Sequence, residues 1–279
     1  MERELTEKYN ILRKQMENYV SGGIAVAFSG GVDSALLLKL ACMAAGNRSV
    51  VYAVTVQTKL HPKGDLEAAG AMAGEFGAVH KVLQMDELAE TRITENPPNR
   101  CYLCKRGIFR KIKEVAEVLG AECVLEGTNA DDLLQYRPGI QALKELEIIS
   151  PLAECGLTKT EIRKLAEYLN IRAADRPSAP CLATRLPYGA KLNYELLAKI
   201  DAGEQWLRGL GFYNVRLRVQ ESMNELKRER ERLVRIEVDE RDLPNLLEYR
   251  KELVVKLKAL GFHRITVDLE GFRSGSMDL

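Results

Sequence analysis

The sequence predicts an α/β protein in which a parallel sheet, flanked by helices, is followed by a smaller α+β domain. Over about the first 130 residues, short apolar runs alternate with segments of helical periodicity, which is typical of βαβ units. After about residue 212 the pattern changes, and strand-like runs flank a charged segment. A length of 279 residues fits two domains of this kind. We therefore expect a first domain over residues 1–200 and a second over 201–279, with a boundary between about 185 and 212.

The first domain is predicted to begin with a helix and then to alternate strands with helices. Its apolar runs are short and continuous, as in strands that are buried on both faces of a sheet. The segment 158–161 reads Thr-Lys-Thr-Glu, a capping box that begins a later helix. The expected strands are 23–28, 49–56, 78–83 and 122–125, and the expected helices are 4–20, 35–45, 65–76, 105–119, 158–169 and the linking helix 193–209.

The second domain is predicted to contain strands at 213–219, 233–238 and 264–269 and a helix at 242–259. The run 227–232 alternates acidic and basic residues. We interpret it as the solvated face of a helix.

The charge balance argues against a protein built mainly to hold nucleic acid. The chain has 41 Lys+Arg and 40 Asp+Glu, a net charge of +1, whereas nucleic-acid binders usually have a basic excess. No window approaches eighteen consecutive apolar residues, and the N-terminus is charged from Glu2 onward. The sequence therefore predicts neither a membrane span nor a signal peptide, and it favours a cytoplasmic location.

The segment 29–34, Ser-Gly-Gly-Val-Asp-Ser, lies between the first predicted strand and the next helix. Gly30 and Gly31 allow a sharp turn that brings backbone N–H groups close to a ligand. The helix N-terminus adds the positive end of its dipole, and the hydroxyls of Ser29 and Ser34 add donors. The pattern predicts a phosphate site. It is not the Walker loop, because no Gly-Lys-Ser/Thr follows, and the alternative is an ordinary strand-to-helix turn.

A second polar cluster follows the predicted strand 122–125. Gly127, Thr128, Asn129 and Asp132 lie at the carboxyl end of that strand, the edge of a parallel sheet where ligands bind. We expect them to contact the same ligand, and the alternative is an Asx-type turn.

The complete string at 29–34 resembles the pyrophosphate-binding loop of the PP-loop ATP pyrophosphatases, whose domain has the adenine nucleotide alpha hydrolase-like fold. Members of this superfamily cleave ATP between the α and β phosphates and leave an adenylated substrate. The resemblance implies ATP and Mg²⁺ as cofactors, with Asp33 organising Mg²⁺ and Thr55 contacting the adenine. An Asp at a helix start can also act as a simple cap.

Three of the six cysteines lie where a small apolar side chain is expected. Cys42 falls in a predicted helix, Cys123 in a strand, and Cys155 precedes Gly156 in a turn. We expect these three thiols to be part of the packing.

The other three cysteines lie in loops. Cys101 and Cys104 form a CxxC motif at a helix start, and Cys181 lies 77 residues further on. Such cysteines in a cytoplasmic protein are typical of metal or catalytic sites. A redox pair and half of a zinc site are alternatives for the CxxC, while three thiolates suit a [4Fe–4S] cluster with one open iron. Lys105 and Arg106, which follow, are expected to be solvated.

Three further stretches, taken with the glycine loop, resemble the LarE family. They are 126–129 (Glu-Gly-Thr-Asn), 180–185 (Pro-Cys-Leu-Ala-Thr-Arg) and 271–277 (Gly-Phe-Arg-Ser-Gly-Ser-Met). This family comprises ATP-dependent sulfur transferases of the nickel-pincer cofactor pathway of lactate racemase. The resemblance covers nearly the whole chain. It implies adenylation of a carboxylate of pyridinium-3,5-biscarboxylic acid mononucleotide, after which sulfur displaces AMP.

The resemblance also implies the source of the sulfur. In one branch, the cysteine matching Cys181 attacks the acyl adenylate and gives up its own sulfur, which leaves dehydroalanine. The presence of Cys101 and Cys104 resembles the other branch, in which all three cysteines hold a [4Fe–4S] cluster and transfer added sulfide. Arg185 is expected to stabilise phosphate or oxyanion charge beside Cys181, and a surface ion pair is the alternative.

Two more pairs of residues are candidates for the site. Arg216 and Arg218 alternate along a strand and therefore face one side of it. The resemblance implies that they bind the substrate phosphate. Glu204 and Glu237 resemble a divalent-metal site between subunits, with ordinary surface carboxylates as the alternative.

The partners implied by the resemblance are a small nucleotide substrate, a sulfide donor, lactate racemase maturation proteins and further copies of the chain. A tRNA thiolase of the same superfamily is a rival, although the neutral charge weighs against it. A non-catalytic nucleotide-binding or zinc-binding scaffold is a third hypothesis. The intact glycine loop and the three cysteines argue against it.

Overall fold

A computed structural model describes residues 2–61, 65–134, 138–172, 181–224 and 229–273. The chain forms two compact units, the first over residues 1–59, 63–92 and 99–179, the second over 60–62, 93–98 and 180–279. The helix expected at 193–209 lies wholly in the second unit. Because a compact unit is not by itself an independently folding domain, the division at residue 200 stays a prediction.

The first unit contains a parallel four-stranded sheet, which confirms the predicted α/β class. Its strands are β1 (Ile24–Ala27), β2 (Val51–Gln57), β3 (Val79–Gln84) and β4 (Cys123–Leu125), in the order β3-β2-β1-β4. The central β1 pairs with β2 from Ile24–Val51 onward and with β4 from Ile24–Cys123 onward. The glycine loop therefore starts in the middle of the carboxyl edge of the sheet.

Helices pack on both faces of this sheet, as crossovers between parallel strands require. They are α1 (Arg3–Tyr19), α2 (Val32–Ala45), α3 (Asp65–Phe76), α4 (Glu87–Glu90), α5 (Arg100–Val118), α6 (Ala130–Leu133), α7 (Gly139–Glu145), α8 (Pro151–Glu154) and α9 (Lys159–Tyr168), with a 3-10 turn at Val20–Gly22. Alternate residues of β1 enter two apolar clusters. Ile24 and Val26 pack with residues of α1, α2 and α9, whereas Ala25 packs with residues of α5.

The second unit contains a smaller three-stranded sheet in the order β5-β6-β7. Its strands are β5 (Arg216–Asn224), β6 (Glu229–Glu237) and β7 (Arg264–Val267); its helices are α10 (Tyr194–Gly209), α11 (Leu243–Glu248) and α12 (Arg250–Ala259), with 3-10 turns at Leu182–Arg185 and Glu240–Asp242. β5 and β6 are antiparallel, and β7 is parallel to β6. In neither unit, as far as the chain is described, is a helix long and apolar enough to cross a membrane.

The interpretation of the charged run 227–232 as a helix face is wrong. Residues 227 and 228 lie outside the described residues, and 229–232 form the start of β6, where Arg232 pairs with Glu221 of β5. The reason lies in the period, because from Arg228 to Arg232 the sign of the charge alternates, and a pattern that repeats every two residues is typical of a strand.

Candidate functional site

The segment 29–34 forms the turn from β1 into α2, and its hydroxyls brace the loop. The Ser34 hydroxyl donates to the Gly31 carbonyl at 3.0 Å, and the Gly31 N–H donates to the Ser29 hydroxyl at 3.3 Å. Gly30 has a φ of 75°, a conformation that favours glycine. Gly31 is the N-cap of α2 and offers no side chain to the first-turn N–H groups. This arrangement leaves the helix N-terminus suited to an anion.

Gly127 brings the polar end of β4 against the start of α2. A Cβ at this position would lie 3.0 Å from the backbone nitrogen of Ser34 and 3.1 Å from the Cβ of Asp33. Only glycine allows this approach without movement of the helix backbone. The glycine loop and the cluster after β4 are therefore in direct contact.

Asp33 connects the glycine loop with α9. It forms an ion pair with Lys159 and accepts a hydrogen bond from Asn129 Nδ2 at 3.5 Å. A carboxylate and an ammonium side by side at an anion site can hold Mg²⁺ and a phosphate oxygen respectively. The sequence assigned Lys159 only to a capping box. Its position at the first turn of a helix, where the dipole disfavours a cation, was the available signal.

Asn129 and Asp132 cap the short helix α6. Asn129 Oδ1 accepts from the N–H groups of Asp131 and Asp132, and Asp132 Oδ2 accepts from the Asn129 N–H at 3.1 Å. These hydrogen bonds are those of the Asx-type alternative. A ligand contact of Asn129 or Asp132 stays a prediction.

Thr55 lies near the carboxyl end of β2, beside Phe28, the residue that precedes the glycine loop. Its hydroxyl is 2.7 Å from the Phe28 carbonyl oxygen and 2.8 Å from Nε2 of His80. The expected contact with adenine stays a prediction. His80 was missed from the sequence, because a single His on an exposed strand gives no local signal.

Cys42, Cys123 and Cys155 pack against the apolar cluster of the first unit, which confirms their structural role. Burial raises the pKa of each thiol to about 11, and at Cys123 and Cys155 a neighbouring glutamate adds to the effect. They stay protonated at neutral pH and are therefore poor nucleophiles and poor metal ligands.

Cys101 and Cys104 are in neither of the two apolar clusters described for the first unit, and Cys181 belongs to the second unit. Cys101 is exposed and Cys104 half-buried, one turn apart on the first two turns of α5 in the first unit. Cys181 is half-buried and precedes the 3-10 turn Leu182–Arg185 of the second unit. All six cysteines are thiols rather than disulfides, so the chemistry of the donors fits an iron–sulfur cluster. The described residues contain no group of three or more His, Cys, Asp or Glu that could already hold a metal ion.

Lys105 connects the CxxC helix with the end of β4. Its Nζ lies 4.0 Å from Oε2 of the buried Glu126, which also accepts from the Thr128 N–H and the Ser150 hydroxyl. Both residues were expected to be solvated. Arg106 is exposed, whereas Lys105 is half-buried and forms an ion pair with Glu126.

Arg185 is fully buried and holds the 3-10 turn Leu182–Arg185 together with its N-cap residue Cys181, a segment that we call the Cys181 turn. Its Nε and Nη2 donate to the two carboxylate oxygens of Glu204 at 2.7 and 2.8 Å. Its Nη1 donates to the Thr184 hydroxyl at 2.9 Å and to the Cys181 carbonyl at 3.3 Å. The surface ion pair considered for Arg185 is therefore wrong. Its stabilisation of charge in a reaction stays a prediction.

Glu204 and Glu237 are buried, so neither is a surface carboxylate. Glu204 accepts four hydrogen bonds, two from Arg185, one from Arg208 at 2.8 Å and one from the Leu217 N–H at 3.0 Å. Burial raises the pKa of Glu204, but the hydrogen bonds and charge of Arg185 outweigh it and hold the pKa below its ordinary value. With both oxygens occupied by donors, this arrangement does not fit a divalent metal ion.

Glu237 is likewise held by arginines. It accepts from Arg218 Nε at 2.9 Å and from Arg235 Nη2 at 3.0 Å. Arg218 also donates to the Thr184 carbonyl at 2.8 Å, next to the Cys181 turn.

Arg216 differs from its neighbours because no described residue forms an ion pair with it. Its guanidinium donates to the carbonyl of Val215 and lies 5.0 Å from the ring centroid of Phe272. Burial, and next the positive charge of Arg185, lower the pKa of Arg216 to about 10. The side chain is still charged at neutral pH and suits an anionic ligand. Of the terminal motif, residues 274–277 lie outside the described residues.

The chain is similar in sequence to several known proteins. The family described as NAD synthase matches residues 4–106. The pyridinium-3,5-bisthiocarboxylic acid mononucleotide synthase of Lactiplantibacillus plantarum is 33% identical over 255 residues, which is 91% of this chain and 88% of the relative. An uncharacterized protein of Synechocystis sp. is 38% identical over 91% of both chains. The argininosuccinate synthase of Pyrococcus furiosus is 30% identical over 55% of this chain and 40% of the relative.

Proposed function

Since the chain belongs to the family of pyridinium-3,5-bisthiocarboxylic acid mononucleotide synthases, the LarE family, we propose that it is an ATP-dependent sulfur transferase acting on pyridinium-3,5-biscarboxylic acid mononucleotide. The main support is the 33% identity to such a synthase along 91% of the chain. The anion site at the N-terminus of α2 supports the use of ATP.

In the first step, a carboxylate oxygen of the substrate attacks the α phosphorus of ATP, and pyrophosphate leaves. The first-turn N–H groups of α2 would bind the pyrophosphate, and Asp33 would bind Mg²⁺. Lys159 would exchange its ion pair with Asp33 for a phosphate oxygen. The product is an acyl adenylate, in which AMP is a good leaving group.

In the second step, sulfide adds to the activated carbonyl carbon and AMP leaves with the former carboxylate oxygen. A thiocarboxylate remains, and no atom is oxidised or reduced. We propose that Cys101, Cys104 and Cys181 hold a [4Fe–4S] cluster, which when bound would supply an iron for the incoming sulfide. The support is that Cys101 and Cys104 lie one turn apart on α5 outside the apolar cluster in which Cys42, Cys123 and Cys155 are packed, and that Cys181 is only half-buried.

Arg216 is proposed to bind the phosphate of the substrate. The support is its buried guanidinium, which has no carboxylate partner among the described residues. Arg218 would have a smaller share, because Glu237 already neutralises its charge.

Sacrifice of Cys181 is the second candidate. Its thiolate would attack the acyl adenylate and release AMP; loss of the Cα proton and cleavage of Cβ–S would then leave dehydroalanine and the thiocarboxylate. The observation that favours it is the hold of Arg185 on the Cys181 carbonyl, which orders this cysteine without help from Cys101 or Cys104. In either case the product would serve proteins that mature lactate racemase.

The test begins with protein purified without oxygen, its iron content and its visible spectrum. Turnover is then measured with ATP, sulfide and the pyridinium dicarboxylate mononucleotide, by mass spectrometry of the product and of the peptide containing Cys181. We expect iron, several turnovers and an intact Cys181. Loss of one H₂S from that peptide, with a single turnover, would establish sacrifice instead.

Matched cysteine variants separate the roles. Cys101→Ala and Cys104→Ala should abolish repeated turnover, while Cys155→Ala, which removes a thiol from the core, should keep it. Repeated turnover by the CxxC variants would contradict the cluster. Thiolation of tRNA without reaction of the small substrate would contradict the proposed acceptor.

A further inference from the structure

His80 lies on β3, the strand at one edge of the first sheet, and contacts Thr55 of the neighbouring β2 and Phe28, which follows β1. Its Nε2 is 2.8 Å from the Thr55 hydroxyl of β2. Its ring packs edge-on against Phe28, with centroids 6.4 Å apart and an interplanar angle of 86°. Phe28 is the last residue before the glycine loop.

The direction of the two hydrogen bonds at Thr55 follows from its single hydroxyl proton. The Phe28 carbonyl, 2.7 Å away, can only accept, so the hydroxyl donates to it. The second bond must then be donated by Nε2–H of His80 to the Thr55 oxygen. Two hydrogen bonds in series therefore run from β3 through β2 to the backbone where β1 ends.

These two hydrogen bonds hold a part of the backbone that lies beyond the pairing of β1 with β2. The pairing of β1 with β2 ends at Ala27–Val54, after which only the Phe28 N–H still donates to Val54, at 2.9 Å. The Phe28 carbonyl lies beyond that pairing and is held by Thr55.

Helix α3 supports both ends of the arrangement. A Cβ on Gly70 would lie 3.2 Å from Nδ1 of His80, and a Cβ on Gly30 would lie 3.3 Å from the Cβ of Ala69. The histidine ring and the glycine loop thus pack against adjacent residues of one helix, Gly70 and Ala69.

We propose that His80 is a positioning residue for nucleotide binding. By donating to Thr55 it fixes the Phe28 carbonyl, and through it the glycine loop, in the conformation that receives the phosphates of ATP. The inference rests on the proposed function in one respect, namely that the ligand of the loop is ATP.

The experiment measures binding of Mg·ATP to the full chain by isothermal titration calorimetry. His80→Phe keeps a ring of similar size and removes the donor, whereas His80→Gln keeps an N–H donor of similar reach. We expect His80→Phe to weaken binding about tenfold and His80→Gln by no more than about threefold, the range of one hydrogen bond. Lys81→Gln, on an exposed neighbour in β3, is the control and should bind like the wild type.

A double-mutant cycle distinguishes positioning from general loss of structure. Thr55→Val removes the middle of the chain of bonds, so His80→Phe combined with Thr55→Val should bind no more weakly than Thr55→Val alone. Additive effects, or wild-type affinity of His80→Phe, would overturn the role of His80 while leaving the proposed function intact. Failure of the wild type itself to bind Mg·ATP would overturn the proposed function, and the inference with it.

Discussion

Glu204→Gln is the sharpest test of how the second unit holds the Cys181 turn. The substitution keeps the size of the side chain, removes its charge and turns one acceptor oxygen into a donor. In the wild type both oxygens accept, from Arg185, Arg208 and the Leu217 N–H, at 2.7–3.0 Å. In the variant an amide N–H₂ would face donors, and Arg185, which is fully buried, would lose its counter-charge.

The two ion pairs of Glu204 are expected to contribute different amounts to the free energy of unfolding. Removal of one partner from a buried pair costs about 3–5 kcal/mol, because the other charge stays buried and unpaired. The Arg208 side chain is 31% exposed and pairs at i,i+4, so Arg208→Met should cost only about 0.5 kcal/mol. In Arg185→Met combined with Glu204→Gln neither charge of the buried pair remains, and Arg208, which also loses its partner, is partly exposed to solvent. The loss should be smaller than the sum of the single losses by about 2 kcal/mol.

Unfolding around Glu204 can be followed by fluorescence, because the one tryptophan of the chain, Trp206, lies on α10 two residues after Glu204. Urea unfolding followed by Trp206 fluorescence should give a midpoint about 1.5 M lower for Glu204→Gln, at a slope of about 2 kcal/mol/M. Arg208→Met should shift the midpoint by about 0.3 M or less. Equal shifts in the two variants, or additive losses in the Arg185 double variant, would refute the assignment of the buried pair.

Four more predictions concern the first unit. Gly127→Ala should weaken Mg·ATP binding about tenfold or more, because its Cβ would meet a backbone nitrogen at 3.0 Å. Gly74→Ala, in helix α3 where a Cβ meets nothing within 4 Å, should leave calorimetric binding unchanged and add about 0.5–1 kcal/mol of stability. In protein prepared without an iron–sulfur cluster, iodoacetamide should alkylate the exposed Cys101 well before Cys42, whose pKa of about 11 keeps it protonated, and equal rates by peptide mass spectrometry would contradict this. Burial lowers the pKa of His80 below its ordinary 6.5, so the unfolded chain takes up the proton first and stability falls as the pH drops through this range. The thermal midpoint should therefore fall more steeply below about pH 6.5 in the wild type than in His80→Gln. Parallel curves of thermal midpoint against pH for the two proteins would contradict a lowered pKa of His80.

Most regular elements could be predicted because their signals are local. The strand expected at 49–56 is β2, Val51–Gln57, and the helix expected at 65–76 is α3 with the same bounds. A strand buried on both faces is a continuous apolar run, and a long helix repeats its apolar residues several times. Helices α4, α6 and α8 have four residues each, too few for any period to appear, and none of them was predicted.

The site was predictable only where its residues are neighbours in the sequence. The glycine loop is six consecutive residues, and its turn into α2 follows from them. The contacts that give the site its electrostatics join distant residues: Lys159 to Asp33 over 126 positions, and Thr55 to His80 over 25. Such pairs depend on the order of the strands and on helix packing, which no local pattern of charge encodes.

The pairing of charges in the second unit shows how Arg216 differs from the other arginines around it. Two buried carboxylates there each hold two arginines, and a third acid, Asp268, lies 3.4 Å from one of the same guanidiniums. Among the described residues, the cluster contains Arg185, Arg208, Arg216, Arg218 and Arg235 with Glu204, Glu237 and Asp268, a net charge of +2 for these eight side chains in ordinary ionisation states. Burying a cation that forms no ion pair is costly, and no described carboxylate is within ion-pair distance of Arg216, so an anion that binds its guanidinium would stabilise the fold. The substrate phosphate that we propose for Arg216 would supply a charge of the right sign, whereas an uncharged ligand would leave the excess in place.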